Sequence, residues 1–223
     1  MLSERGRVRR IHMPIVKIEN ISQESILGIW KITENADVLL QEAILSEEEL
    51  NELSRITNFR RKKEWLSARI ILKSLMKSIG VPYEGTYKNE FSKPYLIRNG
   101  FHISIAHSFP LAGAMIHKSK PCGMDIEMPK PSLFYIAPKF LNNREDEWII
   151  RKPMDLCLAW AAKEVMYKLC GKKDLSFREN LTLEPYECRS KGESHVEVND
   201  EGERERVALE YEQIDEMMVC YSL

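Results

Sequence analysis

Apolar positions along the chain follow two different periods, and the switches between them mark its elements. The runs I-V-K-I-E at 15–19 and I-L-G-I-W-K-I at 26–32 predict two strands. Residues 35–44 suit a short helix, and Ser46 with Glu49 forms a capping box that starts a helix at 46. Another helix is expected after Asn58, through W-L-S-A-R-I-I-L-K-S-L-M-K-S-I. Its apolar stripe includes Leu66, Ile70, Leu72, Leu75, Met76 and Ile79, and Gly80 followed by Val81-Pro82 stops it. From 101 to 127 the spacing becomes strand-like: F-H-I-S-I-A, L-A-G-A-M-I-H and C-G-M-D-I-E, with K-S-K-P as the turn before the last. Helical spacing returns over about 132–150 and over 154–170, where Gly171 is the stop. The tail predicts strands at L-T-L-E-P-Y-E, H-V-E-V, R-V-A-L-E-Y and M-M-V-C-Y, with S-K-G-E-S and N-D-E-G-E-R-E as turns. Each half mixes helices and strands without strict βαβ alternation, so the pattern predicts an α+β fold with a boundary near 118–121.

Composition narrows the classes. The chain has 223 residues, enough for one large domain or two of roughly 110. Lys plus Arg is 33 and Asp plus Glu is 34, so no basic excess points to nucleic acid. Five cysteines, an odd number with no C-x-x-C pair, argue against a disulfide framework or a zinc site and fit a reducing cytoplasm. No apolar run approaches ~18 residues, so no transmembrane helix and no membrane partner is expected. Residues 1–12 are basic but lack the apolar centre of a secretory signal. We expect a loose arm there, or a true start at Met13.

Four segments carry candidate chemistry. Asp125 and Glu127 in G-M-D-I-E share one face of a strand, roughly 6.6 Å apart. They form either a solvated strand end or half of a site for a hard cation such as Mg²⁺. In W-A-A-K-E-V-M-Y-K, residues Trp160, Glu164 and Lys168 share a helix face, with Lys163 and Tyr167 beside them. That pattern is either a surface Glu–Lys pair or, because the helix is largely apolar, a buried pair needing further partners. His107 in I-A-H-S is either a satisfied structural residue or a phosphate donor beside Ser108. Arg69 sits among apolar residues and needs an anionic partner, while Arg61 and Trp65 share its side of the helix.

Taken in order, Arg69, S-K-P at 92–94, I-A-H-S, G-M-D-I-E and W-A-A-K-E-V-M-Y-K resemble the 4′-phosphopantetheinyl transferases of the surfactin-synthetase-activating type. The likeness covers about residues 59–185, and only the combination is specific. It implies a pseudo-dimer of two similar α+β halves, here 13–119 and 120–223, acting as a monomer. It further implies transfer of 4′-phosphopantetheine from coenzyme A to a serine of an apo acyl or peptidyl carrier protein, with release of 3′,5′-ADP. Asp125, Glu127 and Glu164 would hold Mg²⁺ or Mn²⁺. Glu164 would be the general base, and Lys168, with Lys163 close by, would stabilise charge on the phosphates. Arg69 and His107 would meet the 3′-phosphate, with Ser108 near it; Lys93 and Pro94 would lie near the nucleotide; Arg55 and Arg61 are further phosphate contacts. Two positions depart from the family pattern: Ala106 replaces the first serine of S-H-S, and Ser92 the glycine of G-K-P. Two other classes stay open: a homologue that binds coenzyme A or a carrier without catalysis, and a metal-dependent phosphohydrolase.

Overall fold

A computed structural model describes residues 14–171, 175–200 and 202–223. The arm expected at 1–12 lies outside the described residues. In chain order the elements begin with strands β1 (Ile15–Asn20) and β2 (Ser25–Lys31), then helices α1 (Ala36–Glu42), α2 (Glu47–Ser54) and α3 (Phe59–Ser78). Strands β3 (Thr86–Lys88), β4 (Pro94–Leu96), β5 (His102–Ser108), β6 (Leu111–His117) and β7 (Met124–Glu127) follow. Helices α4 (Ser132–Phe140), α5 (Asn143–Asp146) and α6 (Pro153–Cys170) precede β8 (Leu181–Leu183), β9 (Lys191–Asp200), β10 (Glu203–Ile214) and β11 (Met217–Ser222).

Local chemistry sets the helix ends. Ser46 and Glu49 close the expected capping box on α2, and the Asn58 side chain accepts from Arg61 N at the start of α3. Pro153 opens α6, and Gly171 ends it at φ 67°, a left-handed conformation suited to glycine. Two expectations are corrected. The helix expected over 132–150 is two short ones, because Asn142 leaves the helical path and caps α5 by accepting from Glu145 N. S-K-G-E-S is no turn: Lys191–Asp200 pairs with β10 along its whole length, which buries Ser194 and Val196.

All strand pairs are antiparallel. One large sheet, order β1-β2-β6-β5, uses residues 15–117; a second, β7-β11-β10-β9-β8, uses residues 124–222; β3 and β4 pair apart from both as a two-stranded hairpin. The orders β2-β6-β5 and β7-β11-β10 match, and in each unit a long helix, α3 or α6, follows the first strand. Alternating residues feed different cores, as the pleat requires. In β11, Met218 and Cys220 join the core under α6, while Met217, Val219 and Tyr221 face the first sheet. In β6, Ala112, Ala114 and Ile116 pack with α3, whereas Leu111 and Met115 meet Met124 and Ile126. The layers therefore run helix, sheet, sheet, helix, and the near-continuous apolar text of β6 and β11 follows from burial on both faces.

Candidate active site

The sheets meet where β7 runs beside β5: Met124 N donates to Ser104 Oγ at 2.9 Å. Gly123, just before β7, is where the strand comes closest to α6. A Cβ there would lie 2.3 Å from the Val165 carbonyl oxygen, so only glycine fits. That contact sets the acidic face of β7 against α6. Met124 and Ile126 point into the inter-sheet core, which leaves Asp125 and Glu127 on the helix side.

Asp125 is buried. Its Oδ1 accepts from Lys168 Nζ at 2.7 Å, while its Oδ2 is buried without a hydrogen-bond partner. Lys168 Nζ also donates to the Met124 carbonyl at 3.0 Å. Lys168 thus crosses to β7, and the i,i+4 pair expected with Glu164 does not form. Glu127 is paired with Lys130 at 2.9 Å. Burial, with the Asp125 and then Glu127 carboxylates, pushes Glu164 up to about 7, against the opposing pull of Lys168. The three acids therefore interact through charge, although among the described residues no three such side chains stand in a metal-ligating arrangement. Cys157 and Cys220 lie beside the acids, and burial raises both thiols, so neither offers a thiolate.

Next to this face opens a cavity of about 240 Å³. Glu52 from α2 and Arg61, Trp65 and Arg69 from α3 form one wall; the β3–β4 hairpin from Lys88 to Pro94 forms another; β5 and the end of α6 close it. Arg61, Arg69, Lys88, Lys93 and Lys168 face into it against one carboxylate, Glu52, so the cavity is built for an anion. Arg69 is 5% exposed and its guanidinium lies 3.9 Å over the Trp65 ring. Its anionic partners are Glu49 at 3.6 Å and Glu52 at 3.5 Å. Glu49 is itself fixed, accepting from the Tyr83 hydroxyl at 2.5 Å and from Thr86 Oγ1 at 2.7 Å. His107 is held between Arg61 and Glu64, whose Oε2 lies 3.3 Å from its Nδ1. Burial would raise Glu64, but its bond to His107, that residue's charge and the Phe109 N–H keep it below the usual range. Burial lowers Lys93, and its ammonium donates to the Leu169 carbonyl at 3.3 Å.

Of the residues singled out in sequence, Arg61, Arg69, Lys93, Pro94, His107 and Lys168 line this one cavity. Arg55 and Ser108 do not line it, and Arg55 is exposed at the end of α2. Lys163 is fully buried away from it, bonded to Glu145 Oε2 at 2.7 Å and to three backbone carbonyls. Ala106 packs in the inter-sheet core and is not among the residues lining the cavity. Ser92 keeps a glycine-like turn, with φ 63°, in a loop organised by Asn89 Oδ1, which accepts from Phe91 N and Lys93 N. Glu52, Glu64 and Lys88 carry no distinct signal in the sequence, since the first two lie in charge runs and Lys88 in a short mixed stretch before S-K-P.

No protein-family model matches the chain. The chain is 32% identical over 115 residues to a 4′-phosphopantetheinyl transferase of Bacillus subtilis; that stretch is 49% of this chain and 49% of the relative. The chain thus spans about half the length of that relative. The match and the order of the sequence motifs agree in their likeness to the 4′-phosphopantetheinyl transferases.

Proposed function

We propose that this chain is a 4′-phosphopantetheinyl transferase of the surfactin-synthetase-activating type, a monomeric pseudo-dimer that modifies an apo carrier protein with coenzyme A. The observation that carries this is Lys168, which both lines the basic cavity and bonds to Asp125. Anion binding and the acidic face therefore meet at one side chain. In this reading Arg69, Arg61 and His107 hold the 3′-phosphate, and Lys93 and Pro94 flank the nucleotide. Lys168 leaves Asp125 for the pyrophosphate and stabilises the departing 3′,5′-ADP. The carrier serine oxygen bonds to the β-phosphorus, the bond from that phosphorus to the nucleotide breaks, and the serine proton passes to Glu164.

Asp125, Glu127 and Glu164 are the residues that would hold Mg²⁺, and two observations support the fit. Asp125 Oδ2 is a buried acceptor without a donor, and the repulsion among the acids is what a hard cation relieves. When bound, the ion would neutralise charge on the pyrophosphate, which matters because phosphoryl transfer depends chiefly on positioning and electrostatics. The test is to incubate the protein with coenzyme A, Mg²⁺ and a panel of apo carriers from fatty acid, polyketide and peptide synthesis. The expected result is a carrier whose mass rises by one 4′-phosphopantetheine, with stoichiometric 3′,5′-ADP. Coenzyme binding without a mass gain on any carrier would point instead to a non-catalytic homologue, and 3′,5′-ADP released without a carrier to a hydrolase.

A further inference from the structure

Lys163 stands one residue before Glu164, yet it serves a different part of the molecule. Its side chain and that of Glu145 are both 0% exposed. Its Nζ lies 2.6 Å from the Phe140 carbonyl, 2.7 Å from Glu145 Oε2, 2.8 Å from the Phe177 carbonyl and 3.0 Å from the Leu181 carbonyl. An ammonium has three protons, so this shell saturates it. Glu145 is equally committed: Oε2 accepts from Asn142 N and Oε1 from Leu183 N, each at 2.7 Å. One ion pair therefore joins α6 to the end of α4, to α5, to the 177 loop and to β8. Aromatic contacts reinforce it, since Trp160 packs on both Phe140 and Phe177, at 5.2 and 5.4 Å between ring centroids.

Successive residues of a helix are about 100° apart around its axis. Fixing Lys163 on the α4–α5–β8 side therefore fixes Glu164 toward β7. A second polar tie, Lys168 to Asp125, holds α6 from the other side, but Lys168 lines the cavity and is 27% exposed. Once its ammonium turns to a bound phosphate, that tie is gone and Lys163 remains. We infer that the buried Lys163–Glu145 pair is a rotational lock on α6, making Lys163 a positioning residue that aims Glu164 at Asp125 and Glu127 while coenzyme occupies the cavity. This rests on the transferase reading for its consequence, but not for its geometry.

Lys163→Met alone would strand a buried carboxylate and unfold the chain for a trivial reason, so the test uses Lys163→Met with Glu145→Gln. That double variant removes both charges and keeps one carbonyl acceptor at position 145, while it leaves the Phe140, Phe177 and Leu181 carbonyls without the ammonium. Expected are a lowered melting temperature with a cooperative transition retained above the assay temperature, a coenzyme KM within about tenfold, and a kcat lower by about a hundredfold, the scale on which a misaimed catalytic group acts. The KM should change less than kcat because Arg61, Arg69, Lys88, Lys93 and His107 belong to other elements and, of the cationic residues lining the cavity, only Lys168 rides on α6. A crystal structure of the double variant with coenzyme A should show Glu164 turned away from β7. Unchanged kcat, a KM that rises as far as kcat falls, or a lost kcat with Glu164 still facing β7 would each overturn the lock. If wild-type protein transfers nothing, the transferase reading fails by itself, and the direction of Glu164 in that crystal structure decides the lock.

Discussion

Glu164→Gln should make the protein more stable at alkaline pH while abolishing transfer. The substitution keeps the shape of the side chain, and no hydrogen bond to the Glu164 carboxylate is made among the described residues. What changes is charge. Burial together with Asp125 and Glu127 moves this carboxyl from 4.5 to about 7. Because its folded value is raised, the fold holds the proton that the unfolded chain releases, and stability falls as pH rises from about 4.5 through 7. Glutamine pays no such penalty. At about 1.4 kcal/mol for each pH unit of displacement, ionised Glu164 opposes folding by about 3 kcal/mol at pH 8 and by less than ~1 kcal/mol at pH 5. For a chain of this size that is about 6–12 °C of melting temperature at pH 8. The assay is a pair of thermal melts in chelator, at pH 5 and pH 8, for wild type and variant. A variant that melts no higher than wild type at pH 8 would refute the electrostatic account of this site. Added Mg²⁺ at pH 8 should then raise the wild-type melt more than the variant's, because only the wild type offers all three carboxylates.

Arg69→Gln should raise the coenzyme KM by about ten- to hundredfold with a smaller change in kcat, as expected for losing charge-assisted bonds worth about 1.5–3 kcal/mol, and steady-state kinetics would separate the two. Gly123→Ala should lower both stability and kcat, since its Cβ would meet the Val165 carbonyl at 2.3 Å and push α6 off β7; a denaturation midpoint equal to wild type would contradict the close approach. Ser92→Gly should stabilise the fold by about 1 kcal/mol in urea titration, because a non-glycine residue at φ 63° carries a steric cost.

The sequence by itself determined most of the element types and the two chemical faces. Capping at Ser46 and Asn58, the stop at Gly171 and the switch from helical to strand spacing are local signals, because they depend on groups within one turn of the chain. The alternation in M-D-I-E was likewise enough to put both acids on one side of β7. Only the tertiary structure decided what faced them. Lys163 and Lys168 look equivalent in W-A-A-K-E-V-M-Y-K, yet one is saturated by Glu145 in the core and the other crosses to Asp125. Which lysine does which depends on where α4, α5 and β7 pack around α6, and partners 18 and 43 residues away leave no mark in a local pattern. Glu52 and Lys88 were invisible for the same reason: each is an ordinary surface charge until α2 and the β3–β4 hairpin fold over Arg69 and make a cavity of them. Gly123 spans the two levels, since its identity is written in the sequence but its reason is the backbone of α6 lying against it.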